Sequence, residues 1–256
     1  MTLPSQQTQH FITHARWPFL TLRSTYRSTL AYKTHRHETV SLGVVIGGAT
    51  QSKVEDQVQM LHQGDMILIP NQCSHSCNPQ SGSRSYHMLH IDTNWCLEQL
   101  GGTPEQHVFS VKQSLIQDLS LFSQMAKWLS DFQEAPAECL QTLETIIKQF
   151  GQLKPNHSFE YDRVVHSDLS VQALAQELNM SKEGFIRLVK RHTGLSPLAL
   201  RHNQRIEQAK QLISEGHPLV DVALQVGYHD QSQFHKHFVH FTAATPKQYQ
   251  QSVIKT

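Results

Sequence analysis

Two periods divide the chain. Up to about residue 92, apolar residues fall in short β-branched runs: 40–46 ending at Gly47-Gly48, 66–69 ending at Pro70, and 86–91. Runs of this length, punctuated by Gly, Pro and Asn, predict the strands of a sandwich or small barrel. From Lys112 to Phe150 the period becomes helical. Leu115, Leu119, Phe122, Met125, Ala126 and Leu129 form one stripe. After Pro136, read as a first-turn proline, Leu140, Leu143, Ile146, Ile147 and Phe150 form a second. Two such helices either cap the barrel or make a dimer surface. Residues 151–157 are polar and broken by Pro155, which predicts a linker. Everything beyond reads as helix. Ser170 is placed to cap 171–178, and Ser196-Pro197 opens a longer helix to about Ser214, stopped by Gly216-His217-Pro218.

Within that helical half a single pattern occurs twice. Leu174-Ala175, Met180-Ser181, Phe185, Lys190, Gly194 and Ser196-Pro197 are followed, 48 or 49 residues on, by Val222-Ala223, Gly227-Tyr228, Phe234, Phe238 and Thr245-Pro246, with Lys236 in the second copy. A fixed period signals a repeated unit. Each copy has the layout of a helix-turn-helix, whose second helix enters the major groove of DNA. In the first copy Leu174, Leu178, Phe185, Leu188 and Val189 have the spacing of a core. Ser181 can cap the second helix, with Lys182, Glu183, Ile186, Arg187, Lys190 and Arg191 outward. Arg187 is the leading candidate for a base contact, because its planar fork matches guanine or phosphate. In the second copy Val222, Ala223, Val226, Phe234 and Phe238 are core and Asp230 is the cap. Gln231, Ser232, Gln233, His235 and Lys236 face the groove.

Composition changes the picture little. At 256 residues the chain suits two domains, and no apolar run approaches the ~20 residues of a membrane span. Residues 1–10 are polar and lack a secretory core, so a cytoplasmic location is expected. Net charge is only +1, but from Ser167 onward ten Lys/Arg face seven Asp/Glu, the direction expected of a DNA-binding half. Cys73, Cys77, Cys96 and Cys139 show no C-x-x-C pairing and read as reduced thiols.

Residues 221–228, 231–234 and 245–249 resemble the signature of the AraC family of bacterial regulators. The first copy, ending Lys190-Arg191-His192-Thr193-Gly194-Leu195-Ser196-Pro197, resembles that family's upstream half, and 203–212 its linking helix. The resemblance covers about 95 residues. The family usually has Gly at Ala243, a basic residue at Val239 and Arg at Gln250, so the second unit is expected to grip phosphate less tightly.

Upstream, His35-Arg36-His37 and Gly64-Asp65-Met66-Ile67-Leu68-Ile69-Pro70 with His75 resemble the two motifs of a cupin barrel, the effector domain common in such regulators. His35, His37, His75, Tyr86 and His90 are the effector-site candidates. His35, His37, His75 and Cys77 are the candidates should the barrel hold a metal, as imidazoles do for Zn, Fe or Mn. The acid usual after the first motif is absent, and the adjacent Glu38 would point away, so no cofactor is assigned. Cys73, His75 and Cys77 would share one face of an extended segment, with Cys96 nearby in sequence.

The expected fold is an N-terminal all-β cupin-like barrel with two following helices and a C-terminal all-α double helix-turn-helix. The expected divisions are 1–112 for the effector domain, 113–150 for the helical support or dimerisation segment, 151–157 for the linker, and 158–256 for the DNA-binding domain. The expected function is a sequence-specific transcriptional regulator, activator or repressor, working with RNA polymerase under a small effector, on double-stranded DNA, with a homodimer as one form. No G-x-S-x-G, phosphate loop or H-E-x-x-H is present, and no catalytic residue is assigned. The alternative is a ligand- or metal-sensing cupin protein, or a cupin enzyme, whose helical domain is mainly a scaffold.

Overall fold

The computed structural model describes residues 8–14, 16–80, 82–134, 136–156, 161–167 and 169–253. The polar stretch 1–7 and His157 of the expected linker lie outside them. In chain order the first half runs β1 (Thr8–Thr13), β2 (Leu20–Ser28), β3 (Val40–Gly47), β4 (Ala49–Val54), β5 (Gln57–His62), β6 (Met66–Ile69), β7 (His75–Asn78) and β8 (Arg84–Ile91). It continues through α1 (Thr93–Gln99), β9 (His107–Val111), β10 (Leu115–Ile116), α2 (Leu119–Ser130), α3 (Cys139–Phe150) and β11 (Gly151–Pro155). A six-stranded antiparallel sheet has the order β1-β2-β8-β3-β6-β10, a three-stranded sheet the order β5-β4-β7, and β9 pairs with β11.

The continuous apolar runs have a structural cause: the central strands are covered on both faces. On one face Val40, Leu42, Leu20, Leu22, Met66, Leu68, Leu89 and Ile91 join Met125, Trp128, Leu143, Ile146 and Ile147 of the two helices in a single core. Each such side chain, fully buried, stabilises by about 1.5–3 kcal/mol. On the other face Gly43, Val45, Ile67, Tyr86 and Met88 line the space between the sheets. Side chains alternate across a strand, so both sets come from the same segments.

The helices between the halves therefore cover the sheet with their apolar stripes. The stripe of α2 is rotated from expectation. Leu121, Met125, Trp128 and Leu129 are buried, whereas Leu119 is 75% exposed. Leu115 belongs to β10, paired with Ile67, and not to a helix. Pro136 lies ahead of α3, whose N-cap is Glu138. Residues 151–155, expected as linker, are a strand: Gly151 pairs with Val111 and Leu153 with Phe109. Pro155 is tolerated there because it ends a strand at a sheet edge, where its missing N–H breaks no ladder.

The second half contains α4 (Tyr161–His166), α5 (Val171–Glu177), α6 (Lys182–Thr193), α7 (Pro197–Ser214), α8 (Leu219–Gln225), α9 (Gln231–Thr242) and α10 (Pro246–Val253). The caps fall where expected. Ser170, Ser181, Ser196 and Asp230 each accept a backbone N–H three residues on. The repeat extends to single hydrogen bonds. The Met180 N–H donates to Ala175 O, as Tyr228 N–H does to Ala223 O, both at 2.9–3.0 Å. Thr193 Oγ1 lies 2.9 Å from Val189 O and accepts from Leu195 N–H, and Thr242 repeats this with Phe238 and Ala244. Two cores result, one around Leu174, Phe185 and Val189 and one around Val222, Phe234 and Phe238. Leu188 is half-buried, and Leu178, expected in the first core, is 45% exposed because it caps α5 where the chain turns away. Among the described residues no helix is long and apolar enough to cross a membrane.

Candidate functional site

Two sites emerge, an outer face on the helical half and a cavity inside the barrel. On α6, Ser181, Lys182, Glu183, Arg187, Lys190 and Arg191 are exposed, and Ile186 is half-buried. On α9, Gln231, Ser232, Gln233, His235 and Lys236 lie on the outer face. Phe185, Val189, Phe234 and Phe238 occupy the opposite faces. The first face carries four cations and one acid, whereas the second has a single Lys among Gln, Ser and His side chains. The two units sit at the ends of α7, 18 residues long, hence about 27 Å. That is close to the rise of one DNA turn, about 34 Å.

Two arginines of α7 latch the units to it, a feature the sequence reading missed. Arg201 donates from Nε to Val164 O and from Nη2 to Leu169 O, ahead of α5. One turn on, Arg205 donates to Gly227 O in the second unit's turn and lies over the Tyr228 ring. Their i, i+4 spacing was the available signal.

All five effector candidates line one cavity between the sheets: His35, His37, His75, Tyr86 and His90, joined by Cys77. Its volume is about 40 Å³. That is room for a few waters or an ion; an effector the size of a sugar requires the walls to move apart. His35 lies in the β2–β3 connection, held by an isolated antiparallel pairing with His75, N···O 2.8 and 3.0 Å. His37 follows two residues on. Glu38 is exposed, as expected. Cys73 and Cys96 are not with the histidines. Cys73 packs with Val54 and Ile69, and Cys96 is buried in the sheet–helix core. Burial raises both thiols, Cys73 to about 12, so neither forms a thiolate readily.

The rest of the cavity wall is polar in an unusual way. Arg23 and Arg84 are 8% and 1% exposed. Among the described residues their hydrogen-bond partners are neutral: Tyr32 and Thr242 O for Arg23, Leu30 O and Cys77 O for Arg84. Burial, with Coulombic effects from neighbouring groups, holds His35, His37 and His90 well below the usual imidazole range, and His75 below it. All four are neutral near pH 7.

The cavity also abuts the helical half. Arg36 N–H donates to Asn203 Oδ1 at 3.0 Å, and Asn203 Nδ2 donates to Arg36 O at 2.9 Å. His37 Nδ1 lies 3.4 Å from Glu207, which Lys210 holds at 2.8 Å. Lys33 N–H and Arg23 reach the last turn of α9 through His240 O and Thr242 O. Phe11 of β1 enters the second unit's core, edge-to-face with Tyr249 at 4.6 Å.

Comparison with known proteins agrees with this two-domain structure. The family description "AraC-like ligand binding domain" matches residues 20–178, and "Helix-turn-helix domain" matches 174–252. The chain is 26% identical over 235 residues to the probable transcriptional regulator LumQ of Photobacterium leiognathi, covering 86% of this chain and 91% of that one. It is 38% identical over 85 residues to the RCS-specific transcriptional activator RclR of Escherichia coli, covering 33% of this chain and 30% of that one. The chain thus spans under a third of RclR. The crystal structure of unsaturated-fatty-acid-bound ToxT from Vibrio cholerae shares the fold, with TM-score 0.59 and 11% identity over 100% of this chain and 99% of that one. The chain belongs to the AraC family of transcriptional regulators.

Proposed function

We propose that the chain is a one-component transcription factor, not an enzyme, that reads double-stranded DNA with α6 and α9 under the control of a small effector in the barrel cavity. The observation that carries this reading is the contact of the cavity wall with the long helix. Arg36 and His37 touch Asn203 and Glu207 of α7, which itself joins the two DNA-reading units. A ligand that favours a different cavity shape shifts that contact, provided it binds the two states with unequal affinity. In this reading α6 supplies most of the phosphate grip and Arg187 the main base contact, while α9 contributes mostly neutral contacts. Action in the cytoplasm, contact with RNA polymerase at the promoter and pairing of two copies complete it. Such pairing uses faces other than the α2 and α3 stripes, which cover the barrel.

Selection of bound sequences from a random DNA pool, with the full chain at stated salt, tests this. The expected result is a motif of two boxes about one helical turn apart. No enrichment, with and without a library of small organic effectors, overturns it.

A further inference from the structure

We propose that His35, His37 and His75 of the barrel, together with Glu207 of α7, form a divalent-metal site that spans the two domains. The inference rests on the sensing role given to the barrel above and names an occupant for it.

The geometry comes first. Ligand nitrogens of the three histidines lie within 4.8 Å of one another. Two imidazole nitrogens on one tetrahedral zinc ion are about 3.4 Å apart. Binding therefore draws the farthest pair together by up to roughly 1.4 Å, within the reach of side-chain torsions.

The hydrogen bonds then fix which atoms face inward. His35 Nδ1 is 2.8 Å from Lys33 O, and His75 Nδ1 is 3.0 Å from Cys73 O. A carbonyl only accepts, so both rings carry their proton on Nδ1 and leave Nε2 as a bare lone pair. This is the orienting arrangement that metal-bound histidines use. The third ring, His37, has a buried Nδ1 without a hydrogen bond. The ring centroids are 4.5 to 5.1 Å apart. A cation between the rings satisfies the His37 nitrogen together with the Nε2 lone pairs of His35 and His75. Burial keeps the rings neutral, which is the ligating form.

The fourth donor is the acid that the stretch around His35 and His37 lacks. It arrives from 170 residues downstream: Glu207 Oε1 is 3.4 Å from His37 Nδ1 and accepts from Lys210 at 3.1 Å, while Oε2 accepts from Lys210 at 2.8 Å. Three imidazoles and one carboxylate suit Zn, Fe(II) or Mn(II). Lys210 holds the carboxylate in place and opposes the ion by charge, so affinity should be tuned down by it. An ion bound here ties the His35–His37 segment to α7, and its occupancy sets how firmly the barrel holds the DNA-binding half.

The test is titration of the chelator-treated full-length protein with Co(II) alone, read by visible absorption. Hydrogen exchange at residues 33–37 is followed in parallel. One Co(II) per chain is expected, with slowed exchange at 33–37. His75→Ala should weaken binding by at least about 100-fold, more than loss of an outer partner does. Glu207→Gln should bind about tenfold more weakly with an altered spectrum and no slowing of exchange. Lys210→Met should bind more tightly, a gain that an unfolded or loosened variant cannot give. No stoichiometric Co(II) in the wild type overturns the proposal. So does a Glu207→Gln protein that matches wild type in spectrum and exchange. If Co(II) fails while an organic effector still alters DNA selection, the metal site falls and the sensing role stands.

Discussion

The side-chain amide of Asn203 satisfies both backbone groups of Arg36, donating to its carbonyl at 2.9 Å and accepting from its N–H at 3.0 Å. Arg36 lies between His35 and His37, and Asn203 is 4% exposed. One residue of α7 thus continues, with its side chain, the pairing that β-strands make with their backbones. Asn203→Ala removes both of these hydrogen bonds from buried backbone groups, at about 1–3 kcal/mol for each. The expected outcome is faster hydrogen exchange at residues 33–37 and weaker docking of the halves, with the helix-turn-helix cores intact by circular dichroism.

Arg187 sits exposed on the cationic face of α6. Arg187→Ala should weaken specific DNA binding by roughly 1–3 kcal/mol and relax selectivity at one position. Binding measured across a panel of single-base variants checks this. An equal loss on every sequence would make Arg187 a phosphate contact.

Ala243 ends α9 in the left-handed region at φ 50°, where its counterpart in the first unit is Gly194 at φ 70°. A Cβ costs about 1–2 kcal/mol in that conformation. Ala243→Gly should therefore raise stability by about 1 kcal/mol, read by thermal unfolding, after the entropy of the added glycine is subtracted. The reverse change is harsher. A Cβ at Gly194 would stand 1.9 Å from Ser74 Oγ of the barrel, so Gly194→Ala should strain the helix end and separate the two halves as well.

His87 is buried in β8 with Nδ1 2.8 Å from Ser24 Oγ, and burial lowers its pKa to about 4. The unfolded chain takes up a proton near pH 6.5, where the folded one does not. Its contribution is therefore full above about pH 6.5 and is lost as pH falls toward 4, by about 1.4 kcal/mol per unit. Urea unfolding between pH 7 and 4.5 should show this slope shrink in His87→Gln.

The recurrence of Leu174-Ala175 as Val222-Ala223, and the caps at Ser181 and Asp230, made the helical half readable from its residues, because helix starts and cores are encoded locally. The histidines of the cavity were readable as types, but their setting was not. His35 is placed by pairing with His75, forty residues away, and no local period encodes such pairing. Residues 151–155 look like a linker for the same reason: their partner, β9, lies forty residues upstream, and Pro155 at a sheet edge mimics a break. Leu119 and Trp128 mark a different failure. The stripe of Leu119, Phe122, Met125, Ala126 and Leu129 omits Trp128, which α2 buries while Leu119 faces solvent. The contact of Glu207 with His37 had no local signal at all, since it crosses the domain boundary.

Phe11 gives the chain's first described strand an address at its other end. Because its ring sits among Phe238, Tyr249 and Ile206, cutting the chain at residue 156 would not yield two finished folds. The released C-terminal piece would keep every residue of its own repeat and still have a hole where a strand from the far terminus had plugged it. Changes near the amino terminus should accordingly appear as altered behaviour of the second DNA-reading unit, while the barrel that carries them goes on looking unchanged.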